Sequence, residues 1–434
     1  MSEFVTRFGN YVDSKIEKYP ERARRLLLSA YRAKLFQLKR FPDKRLSKAR
    51  DLMAVESMKS VIAPYAHPDR SALVSIFTPC ELLQASGIYP MFAEAMASYI
   101  NGASAERGFV EYAEREGIPE TYCSYHKVLL GAVMSGVLPK PKFVLNTSLA
   151  CDANNLTFRR AAEYYKVPRQ YIEVPYDTSS ESVRYVADQL KEAARMIEDV
   201  TGRKISREKL QESIARGNRT MRTLERCQKL KAGKYLSNDL TDELYEVFGS
   251  HVLMGSPQIE RFAEMLEKEL KEAEPFDGVK LLWMHTIPYY QQDLRKLLNF
   301  SKRCQIMACD MNFDGYVEMD PEQPYESMAR RVVLDAFNGS SDRRIMRSLK
   351  MCSELDADGV IYFCHWGCKQ TMASAGNARA LFEAAGIPIL VLDGDGCDRR
   401  NTGNGQMMTR VEAFIEMLEA AGENGRKKKR NASV

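Results

Sequence analysis

A chain of 434 residues, 45% hydrophobic and 28% charged, can form two or three domains with separate cores and has the balance of a water-soluble globular protein. The formal net charge of +5 is matched by the five cations Arg426, Lys427, Lys428, Lys429 and Arg430, so the remainder is formally neutral, which argues against a nucleic-acid partner. Met1–Val5 carries no basic-then-apolar leader and no apolar run reaches the roughly 18 residues of a membrane span, so a cytoplasmic location, no membrane contact and reduced cysteines are expected.

Taken in chain order, residues 1–62 read as an N-terminal helical segment. Its first 50 residues hold 14 Lys and Arg against five Asp and Glu, yet Leu27, Tyr31, Leu35 and Leu38 recur at helical spacing, as on a helix packed against a body or a partner. A first α/β lobe is expected over 63–178, with strands near 72–77, 143–149 and 170–174. Turns are expected at Ile88-Tyr89-Pro90 and at Leu138-Pro139-Lys140-Pro141. Residues 179–275 read as a helical connection, with helices over Ser182–Val200 and Ser206–Leu230 and a third opened by Ser256-Pro257. A second α/β lobe over 276–422 carries strands at Val279–Met284, Cys304–Cys309, Gly359–Phe363 and Ile387–Leu392. Strands alternating with helices imply parallel sheets. The expected fold is therefore α/β, with two Rossmann-like parallel-sheet lobes, an N-terminal helical segment and a helical connection. Residues 423–434 read as a disordered basic tail.

The chemistry concentrates in cysteines just past strands or at helix mouths: Cys80, Cys123, Cys151 and Cys368. The carboxyl ends of strands in an open parallel sheet form the ligand crevice, so thiols gathered there point to a metal or iron–sulfur site. One lobe would supply Cys80 and Cys123 and the other Cys368. Cys227, Cys304, Cys309 and Cys352 fall inside helical or strand patterns and read as small buried hydrophobes. Cys364 ends an apolar strand and reads as core, with cluster ligation the lesser alternative. Cys397 sits in the acidic loop Asp393–Asp398, which lacks the terminal Glu of a calcium loop. His365 and His126 each neighbour a candidate cysteine, and Glu81 follows Cys80. Of these, His365 and Glu81 are the candidate catalytic groups. No GxxxxGK[ST] loop and no GxGxxG between strand and helix occurs, so the chain itself gives no sign of binding ATP or a dinucleotide.

As an ordered set, Thr78-Pro79-Cys80-Glu81 through Gly87 with Pro90, Cys123-Ser124, Cys151-Asp152, Leu282-Trp283-Met284, His365 through Gln370, Asp393-Gly394-Asp395, Gln406 and Thr409 through Glu416 resemble the 2-hydroxyacyl-CoA dehydratase component family, which also holds benzoyl-CoA reductase subunits and double-cubane cluster proteins. The resemblance spans roughly residues 65 to 420. It implies a [4Fe–4S] cluster on three cysteines, carried over as Cys80, Cys123 and Cys368, with Cys151 a further cofactor-binding candidate. A double cubane needs additional cysteines, and the corresponding stretch Asn338–Asp342 has none.

The resemblance further implies a hydro-lyase that removes water from a 2-hydroxyacyl-CoA through a ketyl radical to give the enoyl-CoA. It implies a related subunit in a heterodimer and a separate ATP-hydrolysing iron–sulfur activator, which agrees with the missing phosphate loop. A benzoyl-CoA-type thioester reductase subunit and a non-catalytic iron–sulfur or scaffold subunit are the alternative readings.

Overall fold

The structure, a computed structural model, describes residues 3–401 and 403–432, with side chains through Gly422 apart from Asn404. The expected tail, 423–434, lies outside the residues whose side chains are described. Three helices come first: α1 (Glu3–Asp13), α2 (Pro20–Arg40) and α3 (Lys48–Ala66). Pro20 at the first position of α2 and Ser47 capping α3 mark starts that need no other signal. The first lobe follows as β1 (Ser71–Val74), α4 (Glu81–Ser86), β2 (Tyr89–Phe92), α5 (Ala93–Gly102), α6 (Glu106–Arg115), α7 (Ser124–Met134), β3 (Phe143–Thr147), α8 (Asp152–Tyr165) and β4 (Arg169–Ile172). Helices α9 (Ser180–Thr201), α10 (Arg207–Leu230), α11 (Leu240–Val252) and α12 (Pro257–Glu272) form the helical stretch. The second sheet region runs β5 (Val279–Met284), α13 (Gln292–Leu298), β6 (Cys304–Cys309), α14 (Pro324–Val333), α15 (Ser341–Leu355), β7 (Gly359–His365), α16 (Lys369–Ala384), β8 (Ile389–Gly394) and α17 (Asn404–Ala432).

The strands form two four-stranded sheets, ordered β2-β1-β3-β4 and β6-β5-β7-β8, with every pairing parallel. Apolar runs such as Phe143–Leu145 and Val360–Phe363 are buried, as parallel strands covered by helices on both faces require. Two α/β lobes therefore stand as expected, with three differences of detail.

First, β1 stops at Val74 and not near residue 77. Thr78 N–H donates to Ser75 O at 3.0 Å and the two hydroxyls bond at 2.9 Å, so 75–78 close a turn before Pro79, which has no N–H to continue a ladder. Second, a strand, β2, runs where a turn was expected. It is an edge strand paired only with β1, so Pro90 costs no ladder bond on its free side. Third, β7 reaches His365, paired with Gly394, so Cys364 lies within the strand. Its buried sulfur points to Thr371 O at 3.7 Å.

Helices α3 and α11 are tied to α10 by charges buried together. Arg50 meets Glu243 at 2.8 Å and Glu246 at 3.2 Å, and Lys231 meets Glu246 at 3.4 Å. Such charges are tolerable inside only because each is paired. Among the described residues no helix is long and apolar enough to cross a membrane.

Candidate active site

A cavity of about 790 Å³ opens where the two sheets end. Residues that follow seven of the eight strands line it: Ile76, Glu94, Ala150, His285, Met311, Trp366 and Asp395. This is the crevice beyond the strand ends where open parallel sheets take ligands. The backbone is strained there, with φ of +62° at Ala150 and +80° at His285, conformations that non-glycine residues hold only when their surroundings compel it.

Three cysteines line this cavity: Cys123, Cys151 and Cys368. Each is the N-cap of a helix, α7, α8 and α16 respectively. Three helix N-termini thus converge, and their exposed N–H groups favour negative charge on the sulfurs. Burial opposes this. It pushes the Cys123 and Cys151 thiols well up, and the neighbouring sulfurs push further, Cys368 on Cys123 and both of these on Cys151. Thiols so placed ionise together only around a cation.

Two histidines contact the sulfurs. The Gly396 N–H donates to His365 Nδ1 at 3.0 Å, which leaves the proton on Nε2, 3.2 Å from Cys123 Sγ. His126 Nε2 lies 3.5 Å from Cys151 Sγ, and burial holds its pKa down to about 3, so it is a neutral partner. Burial also lowers the pKa of His365. The loop after β8 locks the arrangement: the Asp395 carboxylate accepts from Ser124 Oγ at 2.5 Å and from the Cys397 and Asp398 N–H groups at 2.8 Å. Cys397 itself is buried core.

Cys80 stands apart from the other three. It caps α4 and lines a neighbouring cavity of about 60 Å³ with His251, Asp314 and Asp335. Ile76 and Phe77 line both cavities. The early end of β1, at the turn over 75–78, precedes Cys80 in the chain. Glu81 is also spoken for: fully buried, it pairs with Arg331, with Nη2 to Oε2 at 2.8 Å. Among the described residues no three Cys, His, Asp or Glu side chains stand close enough to hold one metal ion.

Glu94 went unnoticed in the sequence. One carboxylate oxygen is buried without a hydrogen-bond partner among the described residues, the residue lines the thiol cavity, and burial raises its pKa to about 7. The missed edge strand hid it, because only β2 puts Glu94 at a strand end. His285 had a legible signal, since it follows a predicted strand directly.

Gly367 joins the lobes. Its φ is +82°, and a Cβ there would lie 2.7 Å from Cys123 Cα and N. Gly367→Ala is therefore expected to lower stability by about 1–3 kcal/mol and to part Cys368 from Cys123. Chemical denaturation and thiol cross-linking of the variant would measure both effects.

The model of the family described as 2-hydroxyglutaryl-CoA dehydratase, D-component, matches residues 75–418. The chain is 22% identical to the (R)-phenyllactyl-CoA dehydratase alpha subunit of Clostridium sporogenes over 375 residues, 80% of this chain and 88% of that one. It is 23% identical over 380 residues to the lactoyl-CoA dehydratase subunit alpha of Anaerotignum propionicum, covering 79% and 89%. It is 23% identical over 358 residues to the (R)-phenyllactyl-CoA dehydratase beta subunit of Clostridium sporogenes, covering 79% and 90%.

Proposed function

We propose that this chain, which belongs to the 2-hydroxyglutaryl-CoA dehydratase D-component family, is the iron–sulfur subunit of an ATP-activated dehydratase that removes water from a 2-hydroxyacyl-CoA. The observation that carries the reading is the convergence of three helix-capping cysteines on one cavity at the strand ends. The donor set fits a [4Fe–4S] cluster held by Cys123, Cys151 and Cys368: three soft sulfurs leave one iron without a protein ligand. Cys80, which lines the neighbouring cavity, is left out of this proposed set. When bound, such a cluster would lend the thioester one strongly reducing electron and recover it after elimination.

The protein's own groups do the rest. His365 and His126 face Cys123 and Cys151, and their N–H groups can spread charge off those sulfurs. Ile76, Phe77, Met311 and Phe337 give the cavity an apolar wall that limits water. Glu94 is the group suited to accept the β-proton, because its carboxyl is poised near neutrality and one oxygen is unengaged. Relatives named as alpha and beta subunits support a related partner subunit; a separate ATP-hydrolysing activator would supply the electron, since the chain carries no GxxxxGK[ST] loop. The test is to incubate the anaerobically purified complex, its activator and ATP with a panel of 2-hydroxyacyl-CoA thioesters. The expected product is lighter by one water, with no net use of reductant. Stoichiometric reductant use with the hydroxyl retained would replace this reading with a thioester reductase.

A further inference from the structure

A second cavity, of about 850 Å³, lies away from the thiol site, between the N-terminal helices and the body. One wall comes from α1 and α2, which precede the region matched to the family, and the others from α3, α5, α11 and the start of α13 with the segment before it. The lining is apolar and aromatic: Phe8, Leu26, Phe248 and Tyr245 are among its residues. The volume is that of a small-molecule site, for which an apolar cavity with a few placed polar groups is the usual form.

Two lining hydroxyls, those of Tyr31 and Tyr99, are buried without a partner among the described residues, and Tyr31 is the more buried of the two. It lies on the buried face of α2, is 4% exposed, and its hydroxyl has no hydrogen-bond partner among the described residues. The ring packs edge-on to Tyr65 at 5.9 Å and Tyr99 at 6.0 Å, so packing accounts for the aromatic body and not for the oxygen. A buried hydroxyl left unpaired costs free energy that a phenylalanine there would avoid. Lys34, one turn along, also lines the cavity; it is solvent-exposed, its amine donates to Gln37 Oε1 at 3.3 Å, and it forms no ion pair among the described residues. Arg295, the other lining cation, is already occupied by Thr241 Oγ1 at 2.7 Å and Asp239 at 3.4 Å.

We propose that this cavity binds an aryl or medium-chain alkyl monocarboxylate, with its body among the aromatic rings, its carboxylate accepting from the Tyr31 hydroxyl and Lys34 balancing the charge. This inference does not rest on the dehydratase reading. The site is linked to the thiol cavity through the lining residue Tyr290, whose hydroxyl donates to Asp395 O at 2.8 Å. Asp395 in turn receives Ser124, the residue after Cys123.

The experiment is calorimetric titration of the full chain, purified anaerobically, with 3-phenylpropanoate and octanoate. Saturable binding with a dissociation constant below about 1 mM is expected. Tyr31→Phe should weaken it about tenfold while leaving the protein as stable as before or more so. Ala30→Phe, which fills the cavity from α2, should abolish it. Absence of saturable binding by the unmodified protein would overturn the proposal, as would binding that both variants retain. Dehydration activity is a separate readout, so loss of this site and failure of the dehydratase reading are told apart.

Discussion

Replacing Cys123, Cys151 or Cys368 singly by alanine is expected to strip iron from the anaerobically purified protein, whereas Cys80→Ala should keep it. The first three sulfurs share one cavity at three helix N-termini, while Cys80 faces a different cavity beyond Ile76 and Phe77. Loss of one thiolate from a three-cysteine set leaves two irons without protein sulfur, which such clusters do not survive. Removing the Cys80 sulfur deletes only a small buried hydrophobe, a cost of about 1 kcal/mol. Iron and acid-labile sulfide per chain, with electron paramagnetic resonance of the reduced protein, would decide the matter without any assay of turnover. Iron lost from Cys80→Ala but retained in Cys151→Ala would restore the ligand set carried over by sequence resemblance. It would also mean that the 75–80 turn rearranges when the cluster is bound.

Glu94→Gln should cut turnover by about 10²–10⁴-fold with iron content and thioester affinity preserved. The carboxyl lines the thiol cavity with one oxygen unpartnered among the described residues, and burial lifts its pKa to about 7. As a base it works in the ionised form, so the rate of the unmodified enzyme should rise with pH through about 7 and then level off. The glutamine variant should lose that limb of the profile. Stability runs in the opposite sense. A carboxyl whose folded pKa is raised binds its proton more tightly in the native state, so its contribution is full below the ordinary carboxylate pKa and is lost as pH rises through about 7. Glu94→Gln should therefore melt higher than the unmodified protein above pH 7 and level with it at pH 4. Thermal unfolding across that range tests this, and a variant that loses turnover but keeps the ordinary pH profile would reduce Glu94 to a positioning role.

Periodicity carried the architecture. Val279–Met284 and Cys304–Cys309 were legible to the residue because a buried parallel strand is an uninterrupted apolar run bounded by turn residues. Ser206, where a helix was expected to begin, caps α10 with its side-chain oxygen, whereas Ser256 at the start of α12 makes no such bond. Tyr89–Phe92 was not legible, since Pro90 reads as a turn unless the strand is known to be an edge, and edge position is a property of the assembled sheet. Glu94 was lost with it.

The sequence by itself determined the two parallel sheets, the helical stretches around them and the candidate thiols, because strand and helix periods are written in residues a few positions apart. Only the tertiary structure decided which thiols share a site. Cys123 and Cys368 are 245 positions apart and meet because Gly367, lacking a Cβ and holding positive φ, lets the second lobe close on the backbone of the first. Cys80, adjacent in every local pattern, lines a neighbouring cavity, past a turn that ends its strand three residues early. Grouping of that kind depends on how loops of different strands meet in space, which no local spacing encodes.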